Sequence, residues 1–183
     1  MIHPTAKIHK SAIIDGDVEI GAGTYVAPGA IISATGGKIS IGSNSVILEN
    51  AMIRGSKNFN CILGNHVLVG PRASVTGATL ENACFIATGS TIFHGSYLHS
   101  GTVLAVNGII HIGTLCPPDT YIPINHIAFG NPLKIYSPAE IQEFHTDLKK
   151  VGFVKHAYGI DTTGLSNTEI YTQLTEKYLS FLD

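Results

Sequence analysis

The sequence is poor in charge and has no long apolar run. Only 13% of its 183 residues are Asp, Glu, Lys or Arg, and the formal net charge is −2. This balance gives no reason to expect nucleic acid or anionic lipid as a partner, because clustered basic side chains bind both. No segment approaches the roughly 18 consecutive apolar residues of a membrane-spanning helix. The N-terminus has no basic stretch followed by an apolar one, so we expect neither a signal peptide nor a membrane anchor. We therefore expect a cytoplasmic protein.

Cysteine is also scarce. The three cysteines, Cys61, Cys84 and Cys116, are widely spaced and form no CxxC pair. This spacing predicts buried, reduced thiols rather than a disulfide framework or a cysteine metal site. Motifs of several enzyme classes are absent too, since the sequence has no P-loop, no GxSxG and no HExxH.

What the sequence does contain is an internal repeat of six residues. From Ile2 to about Ile122 an aliphatic residue returns at every sixth position, in frames such as IGAGTY, VAPGAI, IATGST and LHSGTV. Hexapeptide repeats are typical of a parallel β-helix, in which three frames make one triangular coil. The first residue of each frame then points inward, and a small fifth residue such as Ala51, Thr102 or Thr114 turns the corner. The pattern predicts an all-β solenoid of roughly seven coils.

Three places interrupt the repeat. The segment ATGGKIS (34–40) contains paired glycines and predicts a loop. The segment RGSKNFNC (54–61) predicts a second loop, which leaves the solenoid and returns to it. The segment VTGAT (75–79) is a frame of five residues instead of six.

A helical signal follows the repeats. Ser137 to Glu140 reads as a capping box with proline at the first helical position, and apolar residues then follow at helical spacing. A polar connector is expected from about Gly152 to Leu165. A second capping box, from Ser166 to Glu169, precedes an apolar stripe made of Ile170, Leu174, Tyr178, Phe181 and Leu182. We predict a β-helix over 1–136 and a helical segment over 137–183 that packs on the solenoid or on a neighbouring subunit.

The stretch VGPRASVTGATLENACFIATGSTIFHG, followed by GNPLK, resembles the γ-carbonic anhydrase-like branch of the hexapeptide-repeat family. The resemblance covers about residues 1–136 and includes the five-residue frame and the loop before it. It implies a left-handed parallel β-helix that assembles as a homotrimer. In that branch three histidines bind zinc across the subunit interface, and the metal activates a water.

The three zinc-binding positions of that family carry other residues in this chain. They hold Arg54, Pro71 and Thr76. A guanidinium is always protonated and proline has no side-chain donor or acceptor, so neither can bind zinc. We therefore expect no metal and no carbonic anhydrase activity.

Two hypotheses replace the zinc chemistry at this position. The first is a site for a small anionic ligand at the trimer interface, formed by Arg54, Arg72, Glu49 and Thr76, because a guanidinium fork suits carboxylate and phosphate. The second is an Arg–Glu ion pair that staples two protomers together. The sequence leaves both open.

A further alternative is acyl transfer. Acyltransferases of the hexapeptide family bind acyl-CoA between neighbouring subunits and use a histidine as general base. The cofactor would then be acetyl-CoA, and His66 in GNHVLVG is the first candidate for the base. Other histidines are available, with His94 and His99 more typical of surface or groove positions; the remaining ones are His3, His9, His111 and His126. The last alternative is a structural trimer without catalysis.

Overall fold

The computed structural model describes residues 1–180, and most of them form a solenoid with three flat sides. Successive coils pair as parallel strands, as the six-residue repeat predicts. We call the sides A, B and C in the order in which the chain visits them. The corners between them are corner AB, corner BC and corner CA.

Side A is a sheet of seven short strands, one from each coil. The strands are Lys7–Ile8 (β1), Tyr25–Val26 (β3), Val46–Ile47 (β5), Leu68–Val69 (β8), Phe85–Ile86 (β11), Val103–Leu104 (β14) and Tyr121–Ile122 (β17). The prediction of roughly seven coils is therefore confirmed.

Sides B and C belong to one sheet that bends at two long strands. These are Ile13–Ile20 (β2) and Ile31–Ile41 (β4), which run along side B and continue along side C. Side B adds Met52–Arg54 (β6), Ser74–Thr76 (β9), Thr91–Ile92 (β12), Ile109–Ile110 (β15), Ile127–Phe129 (β18) and the antiparallel Lys134–Tyr136 (β19). Side C adds Cys61–Leu63 (β7), Thr79–Leu80 (β10), Tyr97–Leu98 (β13) and Leu115–Cys116 (β16).

The core is a set of ladders of branched side chains inside the solenoid. From the second coil onward, the first residues of the frames are fully buried and lie in register, coil above coil; on side A they are Val26, Ile47, Val69, Ile86, Leu104 and Ile122. Burying each such side chain stabilises the fold by about 1.5–3 kcal/mol. The predicted small corner residues Ala51, Thr102 and Thr114 are buried as well, and all three cysteines are free and buried.

The predicted loop at 34–40 is wrong, because these residues continue strand β4. Its paired glycines serve close packing instead: a Cβ on Gly37 would lie 2.3 Å from the carbonyl oxygen of Ser56. The predicted loop at 54–61 is confirmed in its main part, since Gly55 to Asn60 connect β6 to β7 and close on a Ser56–Phe59 bridge.

The helical tail begins where the sequence predicts. Pro138–Glu140 forms one 3-10 turn, and Ile141–Val151 (α1) follows it directly. The predicted connector after α1 is partly wrong, because Phe153–Tyr158 (α2) lies within it between two glycines of positive φ. Asn167–Leu179 (α3) starts at the second capping box. The predicted stripe residues Phe181 and Leu182 lie outside the described residues.

Helices α1 and α2 pack on the last coils through a second apolar cluster. Its buried members are Ile112, Phe129, Tyr136 and Phe144. The Tyr136 hydroxyl also donates to Asp147 of α1 at 2.7 Å. Helix α3 has no buried residue. No helix within residues 1–180 has the length and hydropathy needed to cross a membrane.

Candidate functional site

The predicted site residues lie at three different corners of the solenoid. At corner BC, Arg54 ends strand β6 and pairs in register with Thr76 on the next coil. At corner AB, the backbone N–H of Arg72 donates to the carbonyl oxygen of Glu49 at 3.0 Å, and both residues are exposed. At corner CA, His66 is exposed and has a φ of 57°. Within one chain the fold thus brings together Arg54 with Thr76, and Glu49 with Arg72.

The Arg–Glu staple has no counterpart inside the chain. Among residues 1–180, Glu49 forms no ion pair with either arginine. Among residues 1–180, no three His, Cys, Asp or Glu side chains are grouped so that they could hold a metal ion, and at this corner the guanidinium of Arg54 cannot be a zinc ligand.

A cavity lies at corner BC, between the solenoid and the tail. It holds about 40 Å³ of space for water-sized molecules. Helix α2, helix α3 and the loop after β6 each contribute lining residues, together with the solenoid. The lining residues are Thr35, Gly36, Arg54, Gly55, Ser56, Lys57, Asn58, His94, Ala157, Tyr158 and Tyr178. No Asp or Glu of the described chain lines it, so its charged side chains are cations.

Arg54 is the central charge of this cavity. Its guanidinium carbon lies 5.1 Å from the centre of the Tyr178 ring, a cation–π contact that holds α3 over the cavity. The side chain is half-buried, and no residue in 1–180 accepts a hydrogen bond from it or pairs with its charge. A partly desolvated guanidinium with free N–H groups attracts an anion, because the anion offsets its charge and accepts its hydrogen bonds.

His94 stands beside Arg54 and is 7% exposed. Burial, the Arg54 charge and His156 together lower the pKa of His94 to about 4, so its imidazole is neutral at pH 7. The Nδ1 atom is buried without a hydrogen-bond partner, and so is the Oγ atom of Ser56. His156 of α2 donates from Nε2 to the His94 carbonyl oxygen at 3.3 Å and stacks on Phe59 with ring centres 5.5 Å apart.

The other candidate histidines have different surroundings. His111 is enclosed by four phenylalanine rings at 4.9–5.9 Å, and burial followed by the charge of His156 lowers its pKa to about 4. His99 pairs through Nδ1 with Glu81 at 3.2 Å near corner CA. The carboxylate of Glu81 accepts a hydrogen bond from Tyr97, which is the largest cause of a pKa lowered to about 2.

Sequence reasoning found Arg54 but missed most of the cavity. The pair His94–Gly95 stacks on Thr76–Gly77, because the Gly95 N–H donates to the Gly77 carbonyl oxygen. Counting coils from the five-residue frame therefore places His94 at the corner of Arg54, and the structure buries it there, whereas its regular frame favours a surface or groove position. Nothing in the pattern shows that Tyr158 and Tyr178 return to this corner from the tail.

Comparison with known proteins supports the fold. No protein-family model matches the sequence. Over 80 residues the chain is 30% identical to the carnitine operon protein CaiE of Escherichia coli O157:H7, and equally so to CaiE of Escherichia fergusonii. The alignments cover 44% of this chain, which thus spans only 41% of the length of these curated relatives. A hexapeptide transferase family protein from Anaplasma phagocytophilum superposes with a TM-score of 0.58 at 21% identity, covering 87% of this chain and 92% of that one. The chain therefore has the fold of the hexapeptide-repeat left-handed β-helix proteins, as its sequence predicts.

Proposed function

We propose that this protein binds a small anion in the corner BC cavity. The observation that carries the proposal is Arg54, a half-buried guanidinium without an acceptor in the described chain, in a cavity whose charged lining residues in that part are cations. Buried charges are normally paired, because desolvation of an unpaired one is costly. An anionic ligand supplies the missing partner.

The size of the cavity limits the ligand. A single water needs about 10–15 Å³ of such space, and the cavity offers about 40 Å³. This corresponds to a few non-hydrogen atoms, as in a small carboxylate or inorganic phosphate. The adenosine and pantetheine parts of a coenzyme would have to lie elsewhere.

Replacing each arginine in turn tests the proposal. We expect Arg54→Met to abolish binding of acetate and phosphate, measured by calorimetry and by a thermal shift of the folded protein. Arg72→Met is the matched control, because Arg72 is the other arginine of the sequence and lies exposed at corner AB. It should leave binding unchanged. Binding that survives in Arg54→Met, or an absence of binding in the wild type, would refute the proposal.

The prediction of a ligand at the trimer interface, shared by Arg72 and Glu49, remains open beside this single-chain site. The variants Arg54→Met and Arg72→Met distinguish a ligand site within one chain from a site between protomers. Loss of affinity in both variants would favour a ligand held between protomers, where corner AB of one subunit meets corner BC of another.

The homotrimer is part of the proposal, and side A supports it. Its outward ladder runs Lys7, Tyr25, Val46, Leu68, Phe85, Val103 and Tyr121. Tyr25, Phe85 and Tyr121 are 36%, 43% and 58% exposed, and such a continuous apolar face is typical of an interaction surface. We expect Phe85→Glu to yield monomers by light scattering. Ile62→Glu, at an equally exposed position on side C, should remain trimeric.

Acyl transfer from acetyl-CoA is the second candidate function. The observation in its favour is the His99–Glu81 pair, since a carboxylate that orients a histidine is typical of general bases. His99 therefore joins His66 as a candidate, and His66 has no such partner within residues 1–180. Acetyl-CoA should then shift the unfolding temperature, and His99→Ala should abolish transfer while His66→Ala preserves it. No response to acetyl-CoA or to small anions would favour the structural trimer.

A further inference from the structure

Helix α3 is held less firmly than the other two helices of the tail. Helix α1 buries Phe144 and α2 buries Ala157, whereas α3 has no buried residue. Its Tyr171 and Leu179 side chains are 58% and 61% exposed. A short helix is kept in place mainly by the apolar face that it packs on the domain, more than by its own helix propensity. We therefore expect α3 to open at a lower free-energy cost than the solenoid, α1 or α2.

The connector before α3 offers a hinge. Ile160 is 7% exposed and anchors the chain directly after α2. Gly164, farther along the connector, has a φ of 74°, and a Cβ placed on it would meet no atom within 4 Å. Backbone that is free of packing contacts can change its φ and ψ, and hinges are commonly a few such residues between two elements. Movement of α3 can therefore start between Ile160 and Ser166 without displacing α2.

Helix α3 also forms part of the corner BC cavity. Tyr178, in its last turn, lines the cavity together with Arg54 and Tyr158. The centre of the Tyr178 ring lies 5.1 Å from the guanidinium carbon of Arg54. Opening of α3 breaks this contact and exposes more of Arg54 to water, and closing of α3 covers the same charge again.

Tyr178 and an anion use different parts of the Arg54 side chain. A guanidinium is planar, so its face stacks on an aromatic ring while the N–H groups along its edge donate to a carboxylate or a phosphate. The two contacts are therefore compatible. Closing of α3 also removes water from the ion pair, and two charges attract each other about fourfold more strongly at the effective dielectric constant of a protein surface than in bulk water. A bound anion thus favours the closed position of α3.

We infer that α3 is a lid of the corner BC cavity, hinged at Gly164 and latched by the contact of Tyr178 with Arg54, and that a bound anion holds it closed. The inference rests on the proposed anion site and adds how the ligand is admitted and retained there. Coupling between ligand and lid is reciprocal, so the protection that an anion gives α3 measures the affinity that closing gives the anion.

Hydrogen exchange of backbone amides, followed by mass spectrometry on the full chain, tests the inference. Saturating inorganic phosphate should slow exchange in α3 roughly tenfold, a typical size for coupling between two sites, and leave the strands of side A unchanged. Tyr178→Leu keeps an apolar side chain but removes the ring. It should speed exchange in α3 about fivefold, with and without phosphate, because the closed lid loses a cation–π contact.

Matched variants control for general effects on the helix and on charge. Tyr171→Leu makes the same change at an exposed position of α3 and should exchange like the wild type. Tyr178→Phe retains the ring and should do the same. Arg54→Met should speed exchange in α3 and abolish the slowing by phosphate, whereas Arg72→Met, at exposed corner AB, should preserve that slowing.

The outcomes separate the lid from the anion site. Phosphate that binds in calorimetry but leaves α3 exchange unchanged, or speeds it, overturns the lid and leaves the anion site intact. Equal effects of Tyr178→Leu and Tyr171→Leu also overturn the lid, since the Tyr178 ring would then not hold the helix. No binding of phosphate or acetate to the wild type overturns both proposals.

Discussion

His111 is enclosed by aromatic rings, and replacing it by phenylalanine tests how burial of a histidine shapes acid stability. The rings of Phe93, Phe144, Phe129 and Phe153 lie 4.9, 5.1, 5.9 and 5.9 Å from its centre. Its Nδ1 atom is buried without a partner. The site lies between the solenoid and helices α1 and α2, so a charge there acts on the docking of the tail.

The size of the effect follows from the pKa. Burial, with the charge of His156 as the second cause, lowers the pKa of His111 from 6.5 to about 4. The unfolded chain therefore binds the proton first, and this group's contribution is fully present above pH 6.5 and lost as the pH falls towards 4. At 1.36 kcal/mol for each pKa unit, the total loss is at most about 3 kcal/mol. Between pH 6.5 and 4.5 it amounts to about 2 kcal/mol.

Urea unfolding followed by circular dichroism at fixed protein concentration measures this loss. The free energy of unfolding of His111→Phe should fall less between pH 6.5 and 4.5 than that of the wild type, by about 2 kcal/mol. His145→Phe makes the same chemical change at an exposed position of α1 and serves as the control. Parallel pH profiles of His111→Phe and the wild type would refute the reasoning, because the histidine would then be equally protonated in both states.

Three further predictions concern the solenoid and the tail. Ile86 is fully buried in the side A ladder, so Ile86→Ala should lower the free energy of unfolding by about 3 kcal/mol in the same urea assay. Ala83 has a φ of 57°, where a Cβ is strained, so Ala83→Gly should raise the unfolding temperature and add up to about 1 kcal/mol; a lower temperature would contradict this. Ser166 Oγ accepts from the Glu169 N–H at 3.3 Å, so Ser166→Ala should cost about 1 kcal/mol locally and speed amide exchange throughout α3.

The sequence predicts the fold well because every coil has the same packing requirement, so the same residue pattern returns in each coil. Each coil needs an apolar residue at the same inward position. Where a frame is one residue short, the next inward residue therefore comes five positions later instead of six. Val75 and Leu80 are both buried core residues although they are five apart, as the short frame VTGAT indicated. The helix starts were equally readable, because capping boxes are local: at Ser166 the cap forms as expected.

The errors arose where local signals compete with packing between coils. Gly36 and Gly37 are typical of a loop, yet here they allow the neighbouring loop to approach strand β4. Helix α2 is bounded only by Gly152 and Gly159, which are equally typical of a loop, and its Phe153 packs against the apolar cluster beneath the tail. The cavity cannot be predicted from the sequence for the same reason. Its walls come from segments more than 100 residues apart, and no local pattern records how the tail folds back.

The departures from the repeat are concentrated at one corner. The extended turn of β4, the loop from Gly55 to Asn60 and the five-residue frame at Gly77 all lie at corner BC on successive coils. The regular coils that follow turn this corner at Gly95 and Gly113 without an inserted loop. The insertion and the deletion together open a space beside Arg54, and the tail closes it through Tyr178. A solenoid whose regular coils supply stability can thus place its chemistry where the repeat is broken.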